Sequence, residues 1–149
     1  MLPSYSYSYK LLTGTKFSDE YSEKLSGLAA GCENVSIIPW GNRISDVMTD
    51  FDMLITPGSS MVMEALSLNI PCITYEFAYN HHETVIMLER EGMAASFGKL
   101  PCADGTGMMK KIFDEELLYE TRLKRSAVYS PSFDGRGLER VVRIILNEE

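Results

Sequence analysis

Two short stretches of the chain combine residue types that suit an anionic, hydroxyl-rich ligand. The first is Pro57-Gly58-Ser59-Ser60, a tight turn leading from an apolar run into a helix-patterned segment. The first N–H groups of a helix lack partners within it and lie at its positive end. They favour a phosphate or carboxylate, typically by about 0.3–1 kcal/mol. Serines there either cap the helix or add hydroxyl donors. Glu64 follows one turn later. At about 100° per residue, Ser60, Glu64 and Ser67 share one narrow face, while Met61, Val62, Met63, Ala65, Leu66 and Leu68 point elsewhere. A helix apolar on most sides is packed on most sides, so the polar stripe starts at the anion-favouring end. A carboxylate on that stripe can accept hydrogen bonds from vicinal hydroxyls such as those of a ribose. A plain solvated glutamate is the alternative.

The second stretch is Ala78-Tyr79-Asn80-His81-His82-Glu83, again at a predicted helix start. Asn80 can cap this helix and His81 can donate to a phosphate. Adjacent histidines on a helix point about 100° apart and do not chelate, so no metal site is expected. The loop Thr13-Gly14-Thr15-Lys16 has one glycine and neither a dinucleotide-binding nor a P-loop pattern, so no cofactor is expected there. Cys32, Cys72 and Cys102 are odd in number and widely spaced, with no CxxC pair, and read as free thiols of a cytoplasmic protein.

Strand-like and helix-like segments alternate around these turns. Tyr7 to Thr13 reads as a strand ending at Gly14. A helix follows, capped by Ser18, with Asp19 and Glu20 in its first turn and a stop at Gly31. Val35 to Pro39 is a second strand, Ile44 to Thr49 a short helix, and Asp52 to Thr56 a third strand. The helix from about Ser60 to Leu68 ends at Asn69, a candidate left-handed cap before Pro71. Cys72 to Phe77 is a fourth strand, Asn80 to Glu91 a helix closed by Gly92, and Met93 to Phe97 a weak fifth strand. Helical segments follow at about 107–113, 115–129 and 138–147, the last with Leu138, Val141, Val142 and Ile145 on one face. Strands separated by helices imply βαβ units, hence an α/β fold with an open parallel sheet and helices on both faces. In such sheets ligands bind beyond the carboxyl ends of the strands, where both candidate turns fall.

The 149 residues fit one domain, 45% hydrophobic and 23% charged. The net charge of −7 comes with no clustered basic face, which argues against nucleic-acid binding. The N-terminal residues lack a signal-peptide pattern and no apolar run approaches the roughly 20 residues of a transmembrane helix. A soluble cytoplasmic protein is expected.

The order of these residues resembles the C-terminal, nucleotide-sugar-binding half of GT-B-type enzymes. The likeness is closest to the PseG/SpsG group of UDP-sugar hydrolases and spore-coat polysaccharide proteins, and more distant to MurG-like glycosyltransferases. It is carried by Asp52-Met53-Leu54-Ile55-Thr56-Pro57-Gly58-Ser59-Ser60, Glu64, Asn69-Ile70-Pro71, Asn80-His81 and the tail Phe133-Asp134-Gly135-Arg136-Gly137-Leu138-Glu139-Arg140. It runs from about Tyr9 to Leu146. The resemblance implies that Gly58, Ser59 and Ser60 meet the diphosphate, that Glu64 meets the ribose, and that Asn80 and His81 lie near phosphates or sugar. Here one glycine replaces the family's usual pair at the turn, and His81 stands where glutamine is usual. The family's N-terminal half, which carries most catalytic groups, has no counterpart, nor has the Gly-rich first strand of the C-terminal half. A GT-B-type partner domain or chain is therefore implied, with the catalytic residues of this chain left unknown. Without that first strand, about five strands would pair in the Rossmann-like order 2-1-3-4-5, with Gly14 and Gly58 flanking the switch point. A non-catalytic subunit, or a degenerate Rossmann-like module docking on a partner, is the alternative.

Overall fold

The computed structural model describes residues 7–14, 16–39, 41, 44–101 and 105–147. They fall into two compact units, residues 1–43 and 44–149.

In the first unit, strands β1 (Tyr9–Thr13) and β2 (Val35–Pro39) pair in parallel, Tyr9 opposite Val35 and Thr13 opposite Pro39. Helix α1 (Asp19–Ala30) connects them. Its N-cap is Ser18, whose side chain accepts from the Tyr21 N–H at 3.2 Å, and its C-cap is Gly31. Phe17 and Tyr21 meet edge to face at 5.0 Å across this start.

The second unit begins with the short helix α2 (Ile44–Met48), followed by strand β3 (Leu54–Pro57), helix α3 (Ser60–Ser67) and strand β4 (Cys72–Glu76). A single 3-10 turn (Tyr79–His81) leads into helix α4 (His82–Arg90), then strand β5 (Ala95–Lys99) and helices α5 (Gly105–Glu116), α6 (Tyr119–Tyr129) and α7 (Gly137–Leu146). Strands β3, β4 and β5 form a parallel sheet in that order. The fold class is thus α/β with parallel sheets. Among the described residues the hydrogen bonds form a two-stranded and a three-stranded sheet rather than one sheet of five.

The core of the second unit is apolar and continuous. Val62, Ala65 and Leu66 of α3 are fully buried against Met48, Ile70, Cys72, Leu88, Ala94 and Tyr129. Ser60, Glu64 and Ser67 stay exposed, so the polar stripe of α3 faces solvent as its periodicity requires. Asn69 takes the left-handed conformation (φ 60°), and its Oδ1 accepts from the hydroxyls of Ser126 (2.6 Å) and Ser130 (3.1 Å) in and after α6. A row of buried hydroxyl residues crosses the sheet in register: Thr56 opposite Thr74, and Thr74 opposite Ser96.

Several element boundaries differ from the sequence reading, and three of them have a visible local cause. Strand β5 starts at Ala95 instead of Met93, because the N–H groups of Met93 (2.8 Å) and Ala94 (3.3 Å) turn back to the Leu88 carbonyl to close α4. Helix α5 runs to Glu116, past the expected break at residue 114, and Lys110–Asp114 and Lys111–Glu115 pairs span that point. The segment after β4 opens as a 3-10 turn, so α4 proper begins at His82, two residues later than expected.

Candidate functional site

The turns after β3 and β4 lie side by side at the carboxyl ends of their strands. A Cβ placed on Gly58 would fall 2.6 Å from Val85 Cγ2 and 2.9 Å from the His81 carbonyl oxygen. Gly58 is therefore there for space: only a bare Cα lets the β3 turn sit against the β4 turn. Its own N–H donates to the Tyr75 carbonyl at 3.0 Å, and the Ser59 N–H donates to the Pro57 carbonyl at 2.7 Å. Neither amide is left for a ligand in this conformation.

The donors that remain belong to the first turn of α3. Val62 N–H is taken by the Ser59 carbonyl at 3.1 Å, which leaves the amides of Ser60 and Met61 as the orphan donors among the described residues. Ser59 occupies the N-cap position in extended backbone, yet its hydroxyl makes no capping hydrogen bond. Three residues further back, within the strand, the buried Thr56 Oγ1 has no hydrogen-bond partner among the described residues. Glu64 lies exposed on the stripe that starts at Ser60.

Across from this helix end stands the 3-10 turn. Asn80 does not cap α4, whose N-cap position is His81 with no side-chain capping bond. Within the 3-10 turn, His81 Nδ1 accepts from the Ala78 N–H at 3.2 Å. Asn80 is exposed within the turn. Because Nδ1 of His81 is an acceptor, its neutral ring carries the proton on Nε2, where it can be donated outward. The structure thus brings the Gly58–Ser60 turn and His81 together, and Gly14 belongs to the first unit, exposed at the end of β1.

Two functional candidates were not read from the sequence. Glu76, the last residue of β4, places Oε2 2.7 Å from Nδ1 of His82, the first residue of α4. The carboxylate is mostly buried (15% exposed) while the imidazole is half exposed (49%). The hydrogen bond and charge of Glu76 raise the His82 pKa above the ordinary histidine value. Glu83 adds to the rise, while some desolvation and Lys99 oppose it. A glutamate six residues before a histidine, straddling a strand–helix turn, is a weak sequence signal. Phe77 (73% exposed) and Tyr79 (97%) flank this pair as bare aromatic side chains.

The tail singled out for its resemblance forms a side-chain-closed turn that leads into α7. Asp134 accepts from the Arg136 N–H (3.0 Å) and from Arg140 Nη1 (2.8 and 2.9 Å), and Gly135 supplies the left-handed φ of 74°. The Arg140 contact, with help from the Arg136 amide, holds the Asp134 carboxyl below the usual range. Glu139 pairs with Arg136 and Arg143 along α7. Leu138, Val141, Val142 and Ile145 do share one face of this helix, and that face is exposed.

No group of three or more potential metal ligands occurs among the described residues. No helix among them is long and apolar enough to cross a membrane. Cys32 is exposed and Cys72 buried, while Cys102 and Thr15 lie outside the described residues. Comparison with known proteins finds no matching family model and no curated protein with significant similarity.

Proposed function

We propose that the chain is a nucleotide-sugar-binding domain with a preference for UDP. It would belong to a PseG/SpsG-like hydrolase or a glycosyltransferase of bacterial surface-polysaccharide or nonulosonic-acid synthesis, working in the cytoplasm. The observation that carries this reading is the end of α3. Unused amides at Ser60 and Met61 and an uncommitted Ser59 hydroxyl lie together at the carboxyl end of a parallel strand, with the unpartnered Thr56 hydroxyl buried in the strand behind them. The diphosphate would lie over this helix end. Glu64, one turn along the exposed stripe, would accept from the ribose hydroxyls, and Asn80 and His81 would meet the phosphates or the sugar.

In a hydrolase, water would displace UDP at the anomeric carbon; in a transferase, a sugar or lipid hydroxyl would do so. Thermal unfolding in the presence of UDP, GDP and ADP tests the reading. UDP is expected to raise Tm more than the other two, and Glu64→Gln to reduce that shift. Equal shifts for all three nucleotides, or an unchanged UDP shift in the variant, refute it.

Helix α7 favours a second reading, a non-catalytic subunit that docks on a partner chain. Its apolar face, Leu138, Val141, Val142 and Ile145, is exposed, and contiguous exposed apolar surface marks interaction sites. Val142→Asp and Ile145→Asp are expected to leave the Tm of the isolated chain unchanged. A large fall in Tm would show that the face belongs to the chain's own core.

A further inference from the structure

We propose that His81 and His82 are held in opposite tautomers and form a proton donor–acceptor pair, with Glu76 and His82 as an acid–base dyad that this chain itself supplies. The two rings make different hydrogen bonds through the same atom. His81 Nδ1 accepts from the Ala78 backbone N–H, which puts the proton of the neutral ring on Nε2. His82 Nδ1 faces the Glu76 carboxylate at 2.7 Å, which can only accept, so that ring carries its proton on Nδ1 and leaves Nε2 bare. Among the described residues, nothing else bonds to either ring.

The placement suits chemistry. Glu76 ends β4 and its backbone carbonyl accepts from Leu100 N–H at 2.9 Å, just past β5, so the main chain that carries the carboxylate is held by its neighbour in the sheet. Its side chain is mostly buried, whereas the imidazole it orients is half exposed. A mostly buried carboxylate behind a solvent-facing imidazole sets the tautomer and stabilises the imidazolium, the division of labour in acid–base triads. The other charged groups around His82 are Glu83 on α4, which favours its protonation, and Lys99 on β5, which opposes it. Consecutive residues diverge by about 100°, so the two free Nε2 atoms address different atoms of a ligand.

That the ligand is a nucleotide sugar rests on the proposed function. For such a substrate and water, the water oxygen bonds to the anomeric carbon as the bond from that carbon to the phosphate oxygen breaks. The bonding electron pair leaves with the diphosphate. The water proton passes to His82 Nε2, and Glu76 holds the imidazolium. His81 Nε2–H donates a hydrogen bond to the departing phosphate oxygen.

The sequence holds only these two histidines, which makes nitrogen-15 NMR of histidine-labelled full-length chain a direct test. The expected result is that the neutral form of His81 carries its proton on Nε2 and that of His82 on Nδ1, with the His82 midpoint above the ordinary histidine value. Glu76→Gln should lower that midpoint and keep the tautomer, because an amide oxygen still accepts; Glu76→Ala should lose both. A neutral His82 with its proton on Nε2 overturns the proposal. The second arm follows UDP release from UDP-N-acetylglucosamine across pH. Release should rise through the His82 midpoint, shift to lower pH in Glu76→Gln, and fall by about 100-fold or more in His82→Gln with the UDP-induced Tm shift retained. UDP binding without release, or release indifferent to His82→Gln, overturns the catalytic role. If UDP gives no Tm shift at all, the nucleotide-sugar reading fails, and the tautomers alone uphold or overturn the pair.

Discussion

Substituting Gly58 by alanine probes the contact between the β3 and β4 turns. The new methyl would sit 2.6 Å from Val85 Cγ2 and 2.9 Å from the His81 carbonyl oxygen, with His81 Cβ at 3.4 Å. Carbon–carbon contacts settle near about 3.5–4.0 Å, so one side must move by roughly 1 Å. Neither neighbour gives easily. Val85 is buried in α4, where a β-branched side chain has one strongly preferred rotamer, and the carbonyl belongs to the backbone of the 3-10 turn. Forcing a methyl into such a contact costs about 1–3 kcal/mol. The stiffer unfolded chain returns about 0.4–1 kcal/mol. A net loss of about 1–2 kcal/mol corresponds to a Tm lower by roughly 3–6 °C at this chain length.

Urea unfolding of Gly58→Ala, Val85→Ala and the double variant measures the contact. Val85→Ala removes the nearer clash and leaves the carbonyl one, so the double variant should lie above the sum of the singles by about 0.5–2 kcal/mol. A stability within about 0.3 kcal/mol of the parent for Gly58→Ala, or no coupling in the cycle, refutes the view that this glycine is there for space.

Other parts of the second unit make equally direct predictions. Asn69→Gly keeps the left-handed backbone but loses the bonds from Ser126 and Ser130, and should cost about 1 kcal/mol; Asn69→Ala adds the steric penalty and should cost about 2 kcal/mol or more, both read by urea unfolding. Glu116, 5% exposed, holds Arg125 through two contacts of 2.7 and 3.1 Å, and Arg125 also donates to the Gly92 carbonyl at 2.9 Å. Glu116→Ala should therefore cost about 3 kcal/mol, and pairing it with Arg125→Met should recover part of that loss. Burial pushes the Cys72 thiol up to about 12, so at neutral pH it should resist a thiol reagent in the folded chain and react on unfolding. Exposed Cys32 should react throughout, as peptide mapping by mass spectrometry would show.

Much of this architecture was legible because it is local. Ser18, Gly31 and Asn69 act at the helix ends where their types predicted, and the Ser60–Glu64–Ser67 stripe faces solvent as a 3.6-residue period demands. The misplaced boundaries were decided by contacts the pattern does not encode. The amides of Met93 and Ala94 return to Leu88, and the ion pairs along α5 carry it past residue 114. The same limit applies at the site. Sequence placed Gly58 and His81 at the two strand ends, but the close approach between them, which a Cβ on Gly58 would block, is tertiary and left no mark in the pattern. The pairing of Glu76 with His82 escaped notice because it depends on how sharply the chain turns after β4. For α7, periodicity named the residues that share a face, whereas whether anything covers that face is a property of packing.

The acidic balance of the chain narrows how the site could hold an anion. With Gly58 and Ser59 amides already bonded internally, the donors at the strand ends are the Ser60 and Met61 amides, the hydroxyls of Ser59 and Ser60, and His81 Nε2–H. These are neutral groups on a chain of net charge −7. Lys99, beside His82, is the nearby cation that bears on the dyad. Dipoles fixed in a turn act at contact distance, whereas attraction by exposed lysines and arginines is screened over a Debye length of about 8–10 Å at ordinary salt. UDP held here should therefore bind with an affinity that changes less than about threefold between 0.05 and 0.5 M salt, well short of what lysine- or arginine-dominated phosphate sites lose. Calorimetric titration at the two salt concentrations measures it. A steep fall in affinity would mean that basic side chains, rather than the end of α3, carry the phosphate.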